Sequence, residues 1–241
     1  MKKSLLAIVK SFLVFLAGLL FRNKEGKVLY YHDLSKRYTS MGTDFSLFQK
    51  HIGVIQSLGY TIVNHIPSKE KEIMICFDDG WNGIWDYQDF FIENHIFPTV
   101  FIVIDFIGDG KHLDLSRILS LQEKGFRFEC HTYGHTSLTN VIGKDLYHEL
   151  IESRETLSSM LKRNVTELCF PRGKYSERLI NLALQNGYER LYISTPGTCS
   201  PEDKVIPRIL AQDCDRLMLI GIINGGAAIF SRRLKRLHRS E

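Results

Sequence analysis

A chain of 241 residues, 44% hydrophobic and 24% charged, has the size of one barrel-type α/β domain and enough apolar material for a large core. This ordinary globular composition excludes disordered and collagen-like classes. The net charge of +4 is modest, and five of the cations fall in "SRRLKRLHR" (231–239). Without aromatic interleaving or a reader motif, they make no case for nucleic-acid binding.

The chain opens on a basic leader, "MKKSLLAIVK", and an apolar run, "SFLVFLAGLLF" (11–21), followed by "RNKEGK". That is the layout of a signal sequence, yet no small-x-small cleavage site follows. From Leu5 to Phe21 the stretch has seventeen residues with Lys10 inside it, at the short limit for spanning a bilayer. The first expectation for residues 1–24 is an uncleaved signal anchor; an in-plane helix is the second, and a helix of the globular part the third. The first two imply membrane association and a place in the cell envelope rather than the cytoplasm.

Next, "KVLYYH" (27–32) reads as a strand, and "DFSLFQKHIGVIQSLG" (44–59) as a helix that opens on an Asp cap and closes on Gly. "YTIV" is a short strand, and "EIMICF" (72–77) a buried one leading into the helical "GIWDYQDFFIENH" (83–95). "PTVFIVI" (98–104), "DLSRILSLQEKG" (114–125) and "FRFEC" (126–130) continue the alternation, followed by a long helix over 143–163. "TELCF" (166–170), "SERLINLALQNG" (176–187), "YERLYIS" (188–194) and "KVIPRIL" (204–210) complete it before two helical stretches separated by "NGG". Five cysteines are an odd number, and Cys76, Cys130 and Cys169 fall within strands. They read as core residues, which leans towards a reducing compartment and against the leader.

Alternating β and α units imply a parallel sheet with helical crossovers. Six or seven units suit a closed or nearly closed barrel over 25–224, with a basic C-terminal helix over 225–241. That helix is either a solvated face or a contact for anionic lipid headgroups. In such folds function collects at the carboxyl edge of the sheet.

The chemically interesting residues fall at those strand ends. His32 closes the first strand, Asp78 and Asp79 close "IMICF", His131 and His135 follow "FRFEC", and "FPRG" (170–173) follows "TELCF". Two adjacent carboxylates resist joint ionisation unless a cation or proton holds them. A polar turn built on Asp79-Gly80 is the plain alternative. Two histidines four apart plus an aspartate form a set suited to zinc or a similar divalent ion, leaving the second aspartate free as a base.

"FDDGW" with "HTYGH" resembles the first two motifs of the NodB-homology polysaccharide deacetylases, and "FPRGKYS" is similar to their third. The resemblance covers about residues 27–210. It implies an irregular (β/α)7–8 barrel, here with an N-terminal hydrophobic helix, that removes N- or O-acetyl groups from sugars using a divalent metal. Zinc is the first expectation, with cobalt or nickel as alternatives, and an acetylated glycan is the substrate. Residue by residue, it implies metal binding by Asp79, His131 and His135. Asp78 becomes the general base towards the metal-bound water, and the N–H of Arg172 in the Pro171–Gly173 turn an oxyanion donor. Many members carry an Arg two residues before the motif-three Pro, where this chain has Cys169; Arg172 or Arg208 (in "VIPRIL") is the substitute. The late Leu-x-His motif is absent. "LYYHDL" instead matches a subgroup with its catalytic His near the start, which makes His32 the candidate general acid. The alternative is a degenerate barrel that binds glycan or a partner without turnover.

Overall fold

The structure, a computed structural model, describes residues 5–36 and 41–239, so the ends of the expected leader and tail lie outside the described residues. The strands are β1 (Lys27–Tyr31), β2 (Asp33–Ser35), β3 (Gly42–Asp44), β4 (Thr61–Val63), β5 (Glu72–Phe77), β6 (Thr99–Ile102), β7 (Arg127–Cys130), β8 (Glu167–Cys169), β9 (Arg190–Ile193) and β10 (Val205–Leu210). The helices are α1 (Leu5–Leu20), α2 (Phe45–Ser57), α3 (Gly83–Asp86), α4 (Gln88–Glu93), α5 (Leu115–Glu123), α6 (Gly143–Tyr147), α7 (Ser153–Leu161), α8 (Glu177–Gln185), α9 (Arg216–Ile223) and α10 (Ser231–His238).

Seven parallel strands close on themselves in the order β1, β10, β9, β8, β7, β6, β5, because β1 pairs with both β10 and β5. The expected barrel is therefore a seven-stranded one. β4 pairs with the first half of β5, and β2 and β3 form a separate small parallel sheet. Local chemistry sets the helix starts: Asp44, Asp114, Ser176 and Asp215 each accept a backbone N–H of the first turn of α2, α5, α8 and α9. The helical segment at 83–95 breaks at Tyr87 into α3 and α4. The long helix at 143–163 runs through a π turn at His148–Glu152 between α6 and α7.

Strand side chains alternate between faces, and that alternation decides what lies inside the barrel. Leu29, Tyr31, Ile73, Ile75 and Phe77 join the large core shared with the helices. Val28, Tyr30, Met74, Cys76, Phe101, Cys169, Tyr192 and Ile206 form a second cluster, the barrel filling. The five cysteines are all buried, as expected of core residues.

Helix α1 packs along α9 and the Gly225–Gly226 turn instead of standing apart. A Cβ on Gly18 would come within 2.7 Å of the Gly221 carbonyl oxygen, and one on Gly226 within 2.0 Å of that of Val14. Only glycine permits so close an approach. Among the described residues no single helix is long and apolar enough to cross a membrane.

Candidate active site

The inward positions of the strands, continued one step past the filling, deliver the site. Along β1 the inward series Val28, Tyr30 leads to His32; along β5, Met74, Cys76 leads to Asp78. Tyr31 is in register with Phe77, so His32 and Asp78 are neighbours at the mouth. The Asp78 N–H closes this corner by donating to the Tyr31 carbonyl at 2.9 Å.

Asp78 is buried and gripped by Arg208 from β10. Nη1 donates to Oδ1 at 2.6 Å and Nη2 to Oδ2 at 2.9 Å. Burial, the largest single influence, works to raise the Asp78 carboxyl, but the Arg208 charge and hydrogen bonds, with smaller help from His131 and His32, together outweigh it and push the group down to about 2. Arg208 is 0% exposed, its guanidinium lying 4.3 Å from the Tyr30 ring centre and 5.3 Å from that of Phe101. Its Nη2 also donates to the Cys169 Sγ at 2.8 Å. The sequence left Arg172 and Arg208 both open as the substitute for the missing motif-three arginine; it is Arg208, buried inside the barrel, that meets both oxygens of Asp78. A small residue at 169 leaves room for an arginine arriving from a different strand.

Asp79, His131 and His135 come together on the other side of Asp78. Both imidazole Nε2 atoms lie 3.5 Å from the Asp79 Oδ1. Oδ2 accepts from the Trp81 Nε1 at 3.2 Å, whereas the buried Oδ1 has no hydrogen-bond partner. The His131 Nδ1 donates to the Cys169 carbonyl at 2.7 Å, which leaves the Nε2 lone pair turned to Asp79. Burial first, then the neighbouring His131, pushes the His135 imidazole down to about 4, so it is neutral at pH 7. A tetrahedral ion with bonds near ~2.1 Å holds its ligand atoms about 3.4 Å apart. An orphaned carboxylate oxygen facing two imidazole lone pairs at this spacing fits a divalent metal. Asp78, His131 and Cys169 also lie close enough to share an ion. The Arg208 cation in contact with two of the three opposes that alternative.

The backbone around this cluster adopts sparsely populated conformations. Asp79 (φ 70°), Thr132 (φ 69°), His135 (φ 57°) and Arg172 (φ 58°) are all left-handed and non-glycine. Such strain persists only where surrounding contacts over-determine it. One such contact is Glu149 in the π turn, whose Oε2 accepts the N–H groups of Tyr133 and Gly134 at 3.0 Å each. Glu149 and Trp81 have no role in the sequence reading; Glu149 has no motif signal, and the tryptophan lies within the quoted "FDDGW". Glu149→Ala should lower metal affinity about 10–100-fold, as loss of outer support does, while Glu149→Gln should retain most of it. Titration calorimetry with zinc would check both.

In the Pro171–Gly173 turn, Pro171 and Gly173 are buried and the Arg172 side chain is exposed. The turn closes through the Gly173 N–H donating to the Phe170 carbonyl at 3.0 Å. Its charge is near enough to weigh on His135. His32 is half-buried at the mouth, and its Nδ1 meets the Gln212 Oε1 at 2.9 Å. Trp81, His112 and Phe106 stack in series beside His135, with ring centres 4.1, 4.7 and 6.1 Å apart along the row. Cys130 is no part of the site: it faces outward and reaches the Ser153 Oγ at 3.4 Å.

A family model for polysaccharide deacetylases matches residues 65–191, a stretch that holds the three motifs but neither His32 nor Arg208. The protein YxkH of Bacillus subtilis (strain 168) is 24% identical over 186 residues, covering 72% of this chain. The chain spans only 66% of that relative's length. Among solved structures, IcaB from Ammonifex degensii is similar at a TM-score of 0.75 and 15% identity, covering 85% of this chain and 99% of that one. The Streptococcus pyogenes deacetylase PplD, in complex with acetate, is similar at 0.72 and 18%, covering 83% and 98%.

Proposed function

The chain belongs to the polysaccharide deacetylase family, and on that premise we propose that it is a metal-dependent hydrolase removing N-acetyl or O-acetyl groups from an acetylated glycan. The observation that carries this reading is the unpartnered Asp79 Oδ1 between two imidazoles, one residue from a carboxylate that Arg208 keeps ionised. The similarity to a deacetylase solved in complex with acetate supports the acetyl chemistry.

Asp79, His131 and His135 would hold a divalent ion, zinc by donor set, which would polarise the acetyl carbonyl and make an attacking water more acidic. Asp78 accepts the proton of that water. With its carboxyl near 2 it is ionised at every physiological pH but is a weak base. Arg208 bonds both of its oxygens and so fixes the orientation in which the carboxylate would take up that proton. The backbone N–H of Arg172 serves the oxygen that becomes charged during attack. His32, oriented through Gln212, delivers a proton to the departing amine nitrogen, because an amide anion leaves very poorly. The reading as a non-catalytic glycan binder drew on the missing motif-three arginine and the missing late histidine; Arg208 beside Asp78 speaks against the first ground, and His32 beside Asp78 at the mouth against the second.

The test is acetate release by the full chain, loaded with zinc, cobalt or nickel, from a panel of acetylated glycans including chito-oligosaccharides. Metal-dependent release that a chelator abolishes is expected. Glycan binding with no release under any metal would overturn the enzyme reading. His32→Ala should keep metal binding and lower turnover on the order of 10²–10⁴-fold, with loss of one limb of the pH–rate profile. Near-normal turnover with an unchanged profile would assign the proton to another group.

A further inference from the structure

Helix α1 uses its two faces in the reverse of the usual way. Its docked side is small and partly polar: Ser11, Val14, Ala17 and Gly18 are buried, and the Ser11 Oγ donates to the Asp215 Oδ2 at 2.9 Å. Its large apolar side chains face out, with Leu5 and Leu6 78% exposed, Leu20 77%, Phe21 66%, and Phe12 and Leu13 52%. A helix lying on a core in water turns its large apolar residues inward.

Beside it, α10 has no buried residue and exposes Arg232, Arg233, Lys235 and Arg236 together with Leu237. Between α1 and α10 lies an apolar groove of roughly 550 Å³, floored by Leu6, Leu13, Phe230 and Leu234. Lys10 and Arg233 stand at its wall, and no carboxylate lines it.

We propose that the outer faces of α1 and α10 form a monotopic docking surface for an anionic lipid bilayer. Apolar side chains enter the acyl boundary while the surrounding cations meet lipid phosphates. A second copy of this chain is the poorer occupant, since a symmetric contact would set the α10 cations against each other. A spanning anchor is poorer still. The sixteen residues of α1 reach about 24 Å, short of a hydrocarbon layer of roughly 30 Å. Leaving the barrel would also open the glycine seam and break the Ser11–Asp215 bond. The bent pair of α9 and the helical stretch after it passes the same test of length and composition. Yet α9 is wedged against α1, and α10 carries too many cations to enter hydrocarbon.

The surface lies beside the catalytic mouth. Ala7, Lys10 and Ser11 of α1 share a cavity of roughly 440 Å³ with Tyr30, Ser194 and Arg208 of the barrel. The His238 carbonyl at the end of α10 accepts the Tyr175 N–H at 2.9 Å, next to the Pro171–Gly173 turn. Docking would thus hold the mouth next to the headgroups.

The test is co-sedimentation of the full-length protein with vesicles of phosphatidylcholine alone or with about 30 mol% phosphatidylglycerol, a typical source of negative surface potential. Binding to the anionic vesicles that weakens in about 0.5 M salt is expected. Joint reversal of Arg232, Arg233, Lys235 and Arg236 to Glu should weaken it at least ~100-fold, each near-surface cation being worth roughly five-fold. Leu6→Glu with Leu13→Glu should remove what remains, and neither set should alter turnover on soluble oligosaccharides. A fluorophore on Leu13→Cys, the native thiols being buried, should be quenched by shallow rather than deep nitroxide lipids. Deep quenching would establish a spanning anchor and overturn the proposal. So would equal binding by the charge-reversed protein, or a lipid-free dimer that buries α1 and ignores vesicles. Neither the vesicle-binding nor the quenching readout depends on deacetylation, so failure here leaves the catalytic reading standing.

Discussion

Arg208→Met should cost about 3–5 kcal/mol of folding stability and abolish turnover. The guanidinium is fully buried and bonded to both oxygens of an equally buried carboxylate. Removing it leaves the Asp78 charge without compensation. Burial, the larger influence, then raises the carboxyl above its ordinary value instead of letting Arg208 pull it down. The sign of the pH dependence follows for metal-free protein. In the native chain the folded pKa, about 2, lies below the unfolded value. That value is roughly 3.9, so the pair's contribution is complete above it and is lost as pH falls from there towards the folded pKa. In the variant the folded pKa lies above the unfolded one, so acidification relieves the buried charge. Between neutral and mildly acidic pH, denaturant titrations should show the variant gaining stability while the pair's contribution in the native protein stays constant. Asp78→Asn combined with Arg208→Met should regain much of the lost stability yet stay inactive. A single variant as stable as the native protein would mean that Asp78 has another partner.

His131→Ala should remove most bound metal and lower turnover by about 10³-fold or more. The loss of charge stabilisation is several kcal/mol, and each 1.36 kcal/mol is tenfold. His131 has two tasks, since its Nδ1 is anchored on the Cys169 carbonyl while its Nε2 faces Asp79. The freed carbonyl costs about 1–3 kcal/mol, too little to undo a barrel closed by seven strands. Elemental analysis and circular dichroism together give the result: folded protein with little metal. Stoichiometric zinc in this variant would remove His131 from the ligand set. His135→Ala, at a more exposed position, separates loss of a ligand from loss of packing.

By itself the sequence determined the strands of the main sheet, their parallel arrangement and the strand-end residues, because these depend on short-range periodicity and turn chemistry; the short β2 and β3 pair carried no such pattern. "IMICF" followed by Asp78 and Asp79, and "FRFEC" followed by His131, already say that the site lies where strands stop. The period-two rule also marks Arg208 as inward, two steps along from Ile206, although strand ends alone did not reveal it. Only the tertiary structure decided which arginine meets Asp78, because that partnership joins β5 to β10 across 130 residues and exists only once the barrel closes. Glu149 escaped for the same reason: a carboxylate on a helix becomes a clamp on Tyr133 and Gly134 only when that helix packs over their loop. Hydropathy marked α1 as apolar throughout but could not say which face docks. Gly18, Gly221 and Gly226 settled that, since only their missing side chains let two backbones approach so closely.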